Sequence, residues 1–281
     1  MVKPLLKWVG GKTQLLDEIL PRFPNEVTRY HEPFIGGGSI LLAFLERNTC
    51  ERVFASDSNE RLINFYKVVQ SHPNELIKES QSLVGVFSSI RGTVTTDEPL
   101  SSQEAFYYWV RSRFNQRCTP VESAAMFLFL NKTCFRGVYR EGPRGFNVPF
   151  GNYKNPGILD EDHIHEVSQL IQRVTFTTRD YKESLAQVRP GDFVYLDPPY
   201  APETETSFVS YTKGGFNEHE ALFDACKHLP CAFLMSNSNV KLVRDAFRGH
   251  RVHEVTARRA INSKKPDSKT TEVVIECPSP T

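Results

Sequence analysis

The stretch Phe193-Val194-Tyr195-Leu196-Asp197-Pro198-Pro199-Tyr200 decides the fold of this chain. Its four apolar residues are bounded by turn-forming residues, a pattern that predicts a buried strand. The strand must end at the prolines, because proline has no backbone N–H for the sheet and restricts the residue before it. A carboxylate, a rigid turn and an aromatic ring are therefore expected at the carboxyl end of a strand, where ligands bind in open α/β sheets.

This corner suits chemistry on an amino group attached to a planar ring. Asp197 and the carbonyl of Pro198 can each accept a hydrogen bond from such an amine, and Tyr200 can lie against the ring. Two acceptors would aim the nitrogen lone pair at an electrophile by positioning and preorganised electrostatics, without a covalent intermediate. A strand-to-loop corner with a surface aspartate is the alternative, because turns also favour Asp and Pro.

The composition of the chain limits the classes of protein to which it can belong. The chain has 281 residues, of which 40% are hydrophobic, and a net charge of +1, so binding to nucleic acid would have to depend on local clusters of charge. No apolar run is long enough for a membrane span, and no signal peptide is expected. The six cysteines form no C-x-x-C pair, which favours free thiols in a reducing cytosol and no metal site.

A glycine-rich turn is the second informative motif. Residues 33–39, with the sequence PFIGGGS, lie between a predicted strand and an apolar helix, as in a Rossmann-like nucleotide loop. The spacing is not G-x-G-x-x-G, which disfavours a dinucleotide site. Asp57 ends the next predicted strand, where an acidic residue usually binds ribose hydroxyls. Gly10-Gly11-Lys12-Thr13 resembles a phosphate-binding loop but lacks its first glycine.

The remaining patterns alternate between helices and strands. Helices are predicted at 14–20, 61–70, 74–83, 104–115, 121–130, 218–227 and 241–247. Strands are predicted at 173–178 and 232–236, and an antiparallel pair at 250–255 and 271–277. The polar stretch 201–216 is interpreted as a loop that could close over the site.

Residues 131–154 form the most unusual segment, since they are dense in glycine, arginine, lysine and aromatic residues. They predict a hairpin with an exposed basic tip. Arginine can bind guanine with two hydrogen bonds, lysine can neutralise phosphates, and an aromatic ring can wedge between bases. A basic solvated loop is the alternative here and for the second basic stretch at 258–269.

Taken together, these motifs resemble the Dam-type (alpha group) DNA adenine-N6 methyltransferases. The matching stretches, in the order of that family, are Leu6–Lys12, Glu32–Gly38, Asp57, Phe146–Lys154, Asp197–Tyr200 and Ser236-Asn237. The resemblance implies S-adenosylmethionine as methyl donor and an α/β fold with a Rossmann-like, mixed seven-stranded sheet flanked by helices. It also implies a catalytic domain at 1–58 and 160–281. A mainly helical target-recognition domain with a β-hairpin would occupy 59–159.

The resemblance also implies roles at the catalytic and cofactor sites. Asp197, Pro198, Pro199 and Tyr200 would hold an adenine flipped out of the duplex. Trp8 and Lys12 would hold the methionine end of the cofactor, and Asp57 its ribose. The glycine turn would line the cofactor through Phe34, Ile35, Gly36, Gly37, Gly38 and Ser39. Asp180 and Tyr181 would contact the cofactor's adenine, and Asp197 also borders it.

For DNA, the resemblance assigns Lys7 and Arg140 to guanines and Phe135 to insertion into the duplex. Val138 and Pro149 would contact thymine. The predicted DNA-binding set also includes Asn131, Lys132, Arg136, Gly137, Asn147, Arg258 and Lys264. Arg136 departs from the family, where Asn is common, and the hairpin tip is one residue shorter than in some relatives.

The expected substrate is therefore double-stranded DNA, methylated at adenine within GATC. Another site such as GATATC, an RNA or protein amide substrate, and a non-catalytic DNA-binding relative are the alternatives. The chain is expected to be a cytoplasmic monomer of bacterial or phage origin with no membrane partner. A cognate restriction endonuclease is left open as a functional partner.

Overall fold

The computed structural model describes residues 1–50, 52–202, 216–258 and 269–279. The strands in chain order are β1 (Arg29–Glu32), β2 (Arg52–Asp57), β3 (Glu141–Gly142), β4 (Gly145–Phe146), β5 (Val174–Thr178), β6 (Phe193–Leu196), β7 (Ala232–Ser238), β8 (Arg251–Arg258) and β9 (Lys269–Cys277). The α-helices are α1 (Leu16–Ile19), α2 (Ser39–Arg47), α3 (Glu60–Ser71), α4 (Pro73–Ser89), α5 (Gln103–Phe114), α6 (Pro120–Thr133), α7 (Glu161–Leu170), α8 (Tyr181–Leu185), α9 (His219–Lys227) and α10 (Lys241–Ala246).

The chain divides into two compact units. The first comprises Met1, Lys12–Ser58 and Arg173–Thr281, and the second comprises Val2–Gly11 and Asn59–Gln172. The second unit therefore interrupts the first between β2 and β5.

A seven-stranded sheet in the order β5-β2-β1-β6-β7-β9-β8 forms the centre of the first unit. The first five strands in this order are parallel, and β9 pairs antiparallel with both β7 and β8. The chain moves outward from β1 to β2 and β5, and then returns so that β6 lies on the other side of β1. The carboxyl ends of β1 and β6 therefore form the switch point at which open α/β sheets bind ligands.

Strand β6 is buried on both faces, as a central parallel strand must be. Phe193 and Tyr195 point to one face, where they pack against Phe23 at ring-centroid distances of 4.8 and 5.9 Å. Val194 and Leu196 point to the other face and join a core formed with α8, α9 and α10. Helices therefore cover both faces of the sheet, and the end of β6 is held rigidly.

The second unit is mainly helical and is built around α6, which packs against α3, α4 and α5. A capping box begins α6: the Thr119 side chain accepts the Glu122 N–H at 3.3 Å, and the Glu122 carboxylate accepts the Thr119 N–H at 2.8 Å. Strands β3 and β4 form a small antiparallel hairpin that follows α6. The predicted hairpin is therefore confirmed.

The structure confirms the predicted α/β fold with its mixed seven-stranded sheet. The predicted helix 14–20 is wrong in part, because only 16–19 are α-helical and 3₁₀ turns flank them. Helix α4 extends to Ser89, and α7 and α8 were not predicted. Because α7 packs on α3 and α4, residues 160–172 belong to the second unit, and so do residues 2–11. No helix in the described part of the chain is long and apolar enough to cross a lipid bilayer.

Candidate functional site

Asp197 follows β6 directly, and its two carboxylate oxygens have different environments. Oδ2 lies 2.8 Å from the ammonium of Lys12, a side chain that is only 4% exposed. Oδ1 is buried and accepts no hydrogen bond from the described residues. Burial raises the pKa of Asp197 to about 6; the ammonium of Lys12 opposes this shift, and the charge of Glu272 contributes to it. An acceptor with an open hydrogen-bonding position therefore lies at the end of β6.

The segment after Asp197 is fixed by Glu272, Ser238 and Asn237; only Asn237 lies in a motif that the sequence analysis singled out. The hydroxyl of Tyr200 donates to Glu272 of β9 at 2.7 Å. The backbone N–H of Ala201 donates to Asn237 at 3.0 Å, and the Ala201 carbonyl accepts from the Ser238 hydroxyl at 2.6 Å. The ammonium of Lys12 lies 4.9 Å from the centre of the Tyr200 ring. Of the other predicted corner residues, Pro198 is buried and Pro199 is half-buried.

The glycine turn after β1 is tied to the end of β2. Gly36 donates its backbone N–H to the Asp57 carboxylate at 3.2 Å, and Ile35 donates to the Ser56 carbonyl at 3.0 Å. Gly36 and Gly38 have φ angles of +48° and +73°, a left-handed conformation that favours glycine. Asp57 therefore lies beside this turn, and its contact with a ribose stays a prediction.

The amino end of α2 brings the turn and Lys12 together. Ser39 is the first residue of α2, and its hydroxyl accepts the backbone N–H of Lys12 at 3.0 Å. Gly37 and Gly38, which precede it, are buried. The predicted cofactor residues Lys12, Gly36, Ser39 and Asp57 thus share one connected site with Asp197.

Glu32, the last residue of β1, is a second buried carboxyl group beside this site. It is 2% exposed and accepts the Tyr30 hydroxyl at 2.7 Å. Burial raises its pKa to about 8, and the charge of Asp197 contributes in the same direction. At neutral pH Glu32 is therefore largely protonated, so that a second negative charge does not lie close to the Asp197 carboxylate. The matched motif contained Glu32, but its burial could only be seen in the structure.

Aromatic rings line the side of the site near α8. Phe34 stacks on Tyr181 with ring centroids 5.6 Å apart, and Phe216 packs edge-on against Phe34 at 6.2 Å. Asp180 caps α8 by accepting the Lys182 N–H at 2.8 Å. The structure brings Phe34 and Tyr181 into contact, and it shows Asp180 to be a helix cap. Contacts of these residues with the cofactor stay predictions.

Trp8, another predicted cofactor residue, belongs to the second unit. Its ring stacks on Tyr139 with centroids 5.7 Å apart and meets the edge of Phe127 at 6.4 Å. Trp8 is thus part of an aromatic cluster within the helical unit. Its proposed contact with the methionine end of the cofactor stays a prediction.

Lys7 is held by a buried amide on α6. Asn131 accepts the backbone N–H of Lys7 and donates to its carbonyl, both at 2.8 Å. The Lys7 side chain crosses Gly137, where an added Cβ would lie 2.5 Å from the Lys7 Cβ, and its ammonium is 4.7 Å from the centre of the Tyr153 ring. Asn131 is 4% exposed and positions Lys7 through these two bonds, and its predicted part in DNA binding stays a prediction.

The turn after α6 exposes the residues predicted to enter the duplex. Phe135 is 50% exposed, and its backbone N–H is held by the Pro149 carbonyl at 2.9 Å. Arg136 has a φ of +58° and donates its backbone N–H to the Tyr153 hydroxyl at 2.8 Å. Gly137 is buried, like Asn131, and supports the turn rather than forming part of the exposed surface.

Lys132, Val138 and Pro149 complete this predicted surface. Val138 is half-buried and Pro149 is exposed, so both keep some apolar surface accessible. Lys132 is half-buried, and burial lowers its pKa, with the charge of Lys7 adding to the effect. Two lysines that influence one another in this way form a local concentration of positive charge, which the net charge of the chain conceals.

The hairpin presents Arg140 from a fixed backbone. Asn115, just after α5, donates to the Phe146 carbonyl and accepts the Phe146 N–H, both at 2.8 Å. Asn147 accepts the Nε–H of Arg140 at 2.7 Å, which orients the exposed guanidinium. Sequence reasoning predicted Arg140 and Asn147 but missed Asn115, whose contribution depends on Gly145 lacking a side chain.

Three predictions fall at or beyond the limits of the described residues. Arg258 is the last residue of β8, and Lys264 lies outside the described residues. The predicted loop over the site, 201–216, falls largely in the range 203–215, which also lies outside them.

The geometry agrees with a family model. The model of the D12 class of N6 adenine-specific DNA methyltransferases matches residues 8–261. The chain belongs to this family. The methyltransferase thus acts on adenine in DNA, and S-adenosylmethionine is its methyl donor.

Curated relatives extend over nearly the whole methyltransferase. The type II methyltransferase M.MjaIII of Methanocaldococcus jannaschii is 40% identical, with 94% of this chain and 94% of the relative covered. The type II methyltransferase M1.LlaDCHI of Lactococcus lactis is 30% identical, with 98% and 95% covered. A DNA adenine methylase of Vibrio cholerae is 33% identical, with 92% and 90% covered.

Proposed function

We propose that the enzyme methylates an adenine that has left the duplex stack, within the sequence GATC, and that Asp197 holds the reacting amino group. The observation that carries this proposal is the asymmetry of the Asp197 carboxylate. One oxygen is paired with Lys12 at 2.8 Å, and the other is buried without a partner among the described residues.

An unpartnered buried acceptor destabilises the folded chain by about 1–3 kcal/mol, so a donor supplied by the substrate would be favourable. The N6 amino group of adenine has two N–H donors. Asp197 Oδ1 accepts one of them in this proposal, and the carbonyl of Pro198 accepts the other. Positive charge develops on N6 as it is methylated, and the Asp197 carboxylate therefore stabilises the transition state more than the ground state.

The adenine must leave the helix, because N6 cannot reach this buried corner while it is paired and stacked. Extrusion costs a few kcal/mol. Tyr200 offsets part of that cost by stacking on the free base, since stacking on an aromatic ring contributes about 1–3 kcal/mol per base.

The residues of the first unit fit S-adenosylmethionine. Gly36 and Gly38 adopt left-handed turns that let the backbone approach a ligand closely, and Asp57 ends the adjacent strand. Asp57 would hold the ribose, and the ammonium of Lys12 would pair with the carboxylate of the methionine part. The bound cofactor supplies a methyl group on a sulfonium sulfur.

Recognition of GATC is proposed for the exposed residues of the second unit. Arg140, oriented by Asn147, would bind a guanine through two hydrogen bonds, and Lys7 an outer guanine. Phe135 would insert into the duplex, since its ring is half-exposed on a constrained turn. Val138 and Pro149 would contact the methyl group of thymine.

Methyl transfer from labelled S-adenosylmethionine tests this proposal. The substrates are a duplex with one GATC, duplexes in which each position of that site is replaced in turn by each of the three other bases, and a GATATC control. Digestion to nucleosides then identifies the product. We expect N6-methyladenine confined to GATC. The same product in another context would reject the assigned base contacts, and methylation of RNA alone would reject the duplex substrate.

A cognate restriction endonuclease, a monomeric state in solution and a cytoplasmic location stay predictions. Type II methyltransferases among the relatives support the first of these.

A further inference from the structure

We propose that Glu272 is a positioning residue for catalysis: by accepting the Tyr200 hydroxyl, it fixes the ring on which the extruded adenine stacks. The inference rests on the proposed function, because it assigns a partner to the ring that the flipped base would meet. Glu272 belongs to none of the motifs that identify the family in this sequence.

The contact is short and comes from a rigid element. The Tyr200 hydroxyl lies 2.7 Å from Glu272 Oε2. Strand β9 has neighbours on both sides, and Glu272 is in register with Ser238 of β7 and Val255 of β8. The carboxylate therefore belongs to an interior strand of the sheet rather than to the mobile end of a loop.

Tyr200 is held at both ends as a result. Its backbone is fixed on one side by Pro198-Pro199 and on the other by Ala201, whose N–H and carbonyl bond to Asn237 and Ser238. Its ring could still rotate about two side-chain torsions. The bond from the hydroxyl to Glu272 removes that freedom before any base arrives, so less entropy is lost on stacking.

The negative charge of Glu272 also changes the electron density of the Tyr200 ring. A phenol that donates to a carboxylate carries more electron density on its ring, and an electron-rich ring face attracts positive charge. The methylated base becomes positively charged in the transition state. Glu272 would thus strengthen stacking at the step where it matters, in addition to orienting the ring.

A double-mutant cycle tests the inference. Tyr200→Phe removes the donor, Glu272→Leu removes the acceptor, and Glu272→Gln keeps an acceptor oxygen without the charge. The readouts are single-turnover methyl transfer at saturating cofactor and DNA, and the fluorescence of 2-aminopurine placed at the target adenine. Glu276→Gln is the matched control, since Glu276 is on the same strand and bonds to His253 at 3.0 Å, away from Tyr200.

We expect Tyr200→Phe and Glu272→Leu each to slow methyl transfer by roughly tenfold, in line with the loss of one hydrogen bond to a charged group. The double variant should be no slower than either single variant. Glu272→Gln should recover part of the rate, DNA affinity should change little, and Glu276→Gln should match wild type.

Independent, multiplicative effects of the two single variants would overturn the inference, as would a wild-type rate for Glu272→Leu. If Glu272→Leu fails to fold, Glu272→Ala, which also removes the acceptor, gives the same comparison when combined with Tyr200→Phe. A wild-type enzyme that methylates GATC without any 2-aminopurine signal would overturn base extrusion and this inference with it. A normal wild-type signal with independent variants would overturn the inference alone.

Discussion

The two units present their functional groups in opposite ways. In the first unit the groups that would react are largely buried: the Lys12 side chain is 4% exposed and that of Asp197 20%, and the second carboxyl group, of Glu32, is buried. In the second unit the groups that would contact DNA are exposed, whereas the amides beneath them, Asn131 and Asn115, are bonded to the backbone that carries those groups.

This difference has a physical consequence. A buried charge has few alternative partners, so its removal should change one step of the reaction by a large factor. An exposed cation remains surrounded by water, so its removal should change affinity or discrimination by a smaller amount. Variants in the first unit should therefore have larger effects than variants in the second unit.

The largest effect is expected for Asp197→Ala. We predict that single-turnover methyl transfer falls by at least about 10²–10³-fold, because a preorganised acceptor is lost, while DNA affinity stays near wild type. Asp224→Ala is the control, since Asp224 is a largely exposed carboxylate on α9 with a side chain 73% exposed. Comparable turnover by Asp197→Ala would refute the catalytic role of this carboxylate.

A smaller and position-specific effect is expected for Arg140→Ala. Loss of a two-bond contact to guanine should reduce discrimination at one base pair by about 1–3 kcal/mol. Rates on GATC duplexes and on single-base variants measure this discrimination. Arg144→Ala, at the exposed turn between β3 and β4, should instead weaken binding to all duplexes alike. Unchanged discrimination by Arg140→Ala would show that Arg140 does not contact a base.

The smallest effect concerns the backbone under Lys7. Gly137 has a φ of +63° and lies against Lys7, so Gly137→Ala should lower the free energy of unfolding by about 1–2 kcal/mol and weaken DNA binding. Gly85→Ala, in α4 with open space around it, should instead raise stability by roughly 0.5–1 kcal/mol. Thermal unfolding and DNA titration measure both effects. Equal behaviour of the two variants would show that the Gly137 turn tolerates a side chain.

Local patterns predicted the parts of the fold that local chemistry determines. Prolines follow the ends of both β6 and β1, and three glycines come soon after Pro33, so the positions of Asp197 and of the glycine turn followed from the sequence. Helix α8 was missed because it has only five residues. Helix α7 was missed because only the strand that follows it was assigned in this region of the sequence. The extent of α4 was underestimated because its last turn is rich in serine, which also favours loops.

The sequence predicted site residues well where the interacting side chains lie in one motif. It predicted them less well where one of the interacting side chains comes from a strand or helix that is distant in sequence. Nothing near Glu272 indicates that it bonds to Tyr200, since the pairing of β9 with β7 creates that contact. In the same way, Asn131 resembles a surface residue beside Lys132. Only the packing of α6 shows that its amide bonds to Lys7, 124 positions away.

The most direct test of the central claim is the pH dependence of single-turnover methyl transfer by the wild-type enzyme at saturating cofactor and duplex. In the proposed mechanism the ionised form of Asp197 is the acceptor, and burial raises the pKa of this carboxyl group to about 6. Lowering the pH through that value protonates the carboxylate, so the rate should fall about tenfold per pH unit well below about 6, a range in which Glu32 stays protonated. DNA and cofactor affinities measured at each pH serve as the control. A rate that stays constant down to about pH 5, with binding intact, would contradict the role of an ionised Asp197.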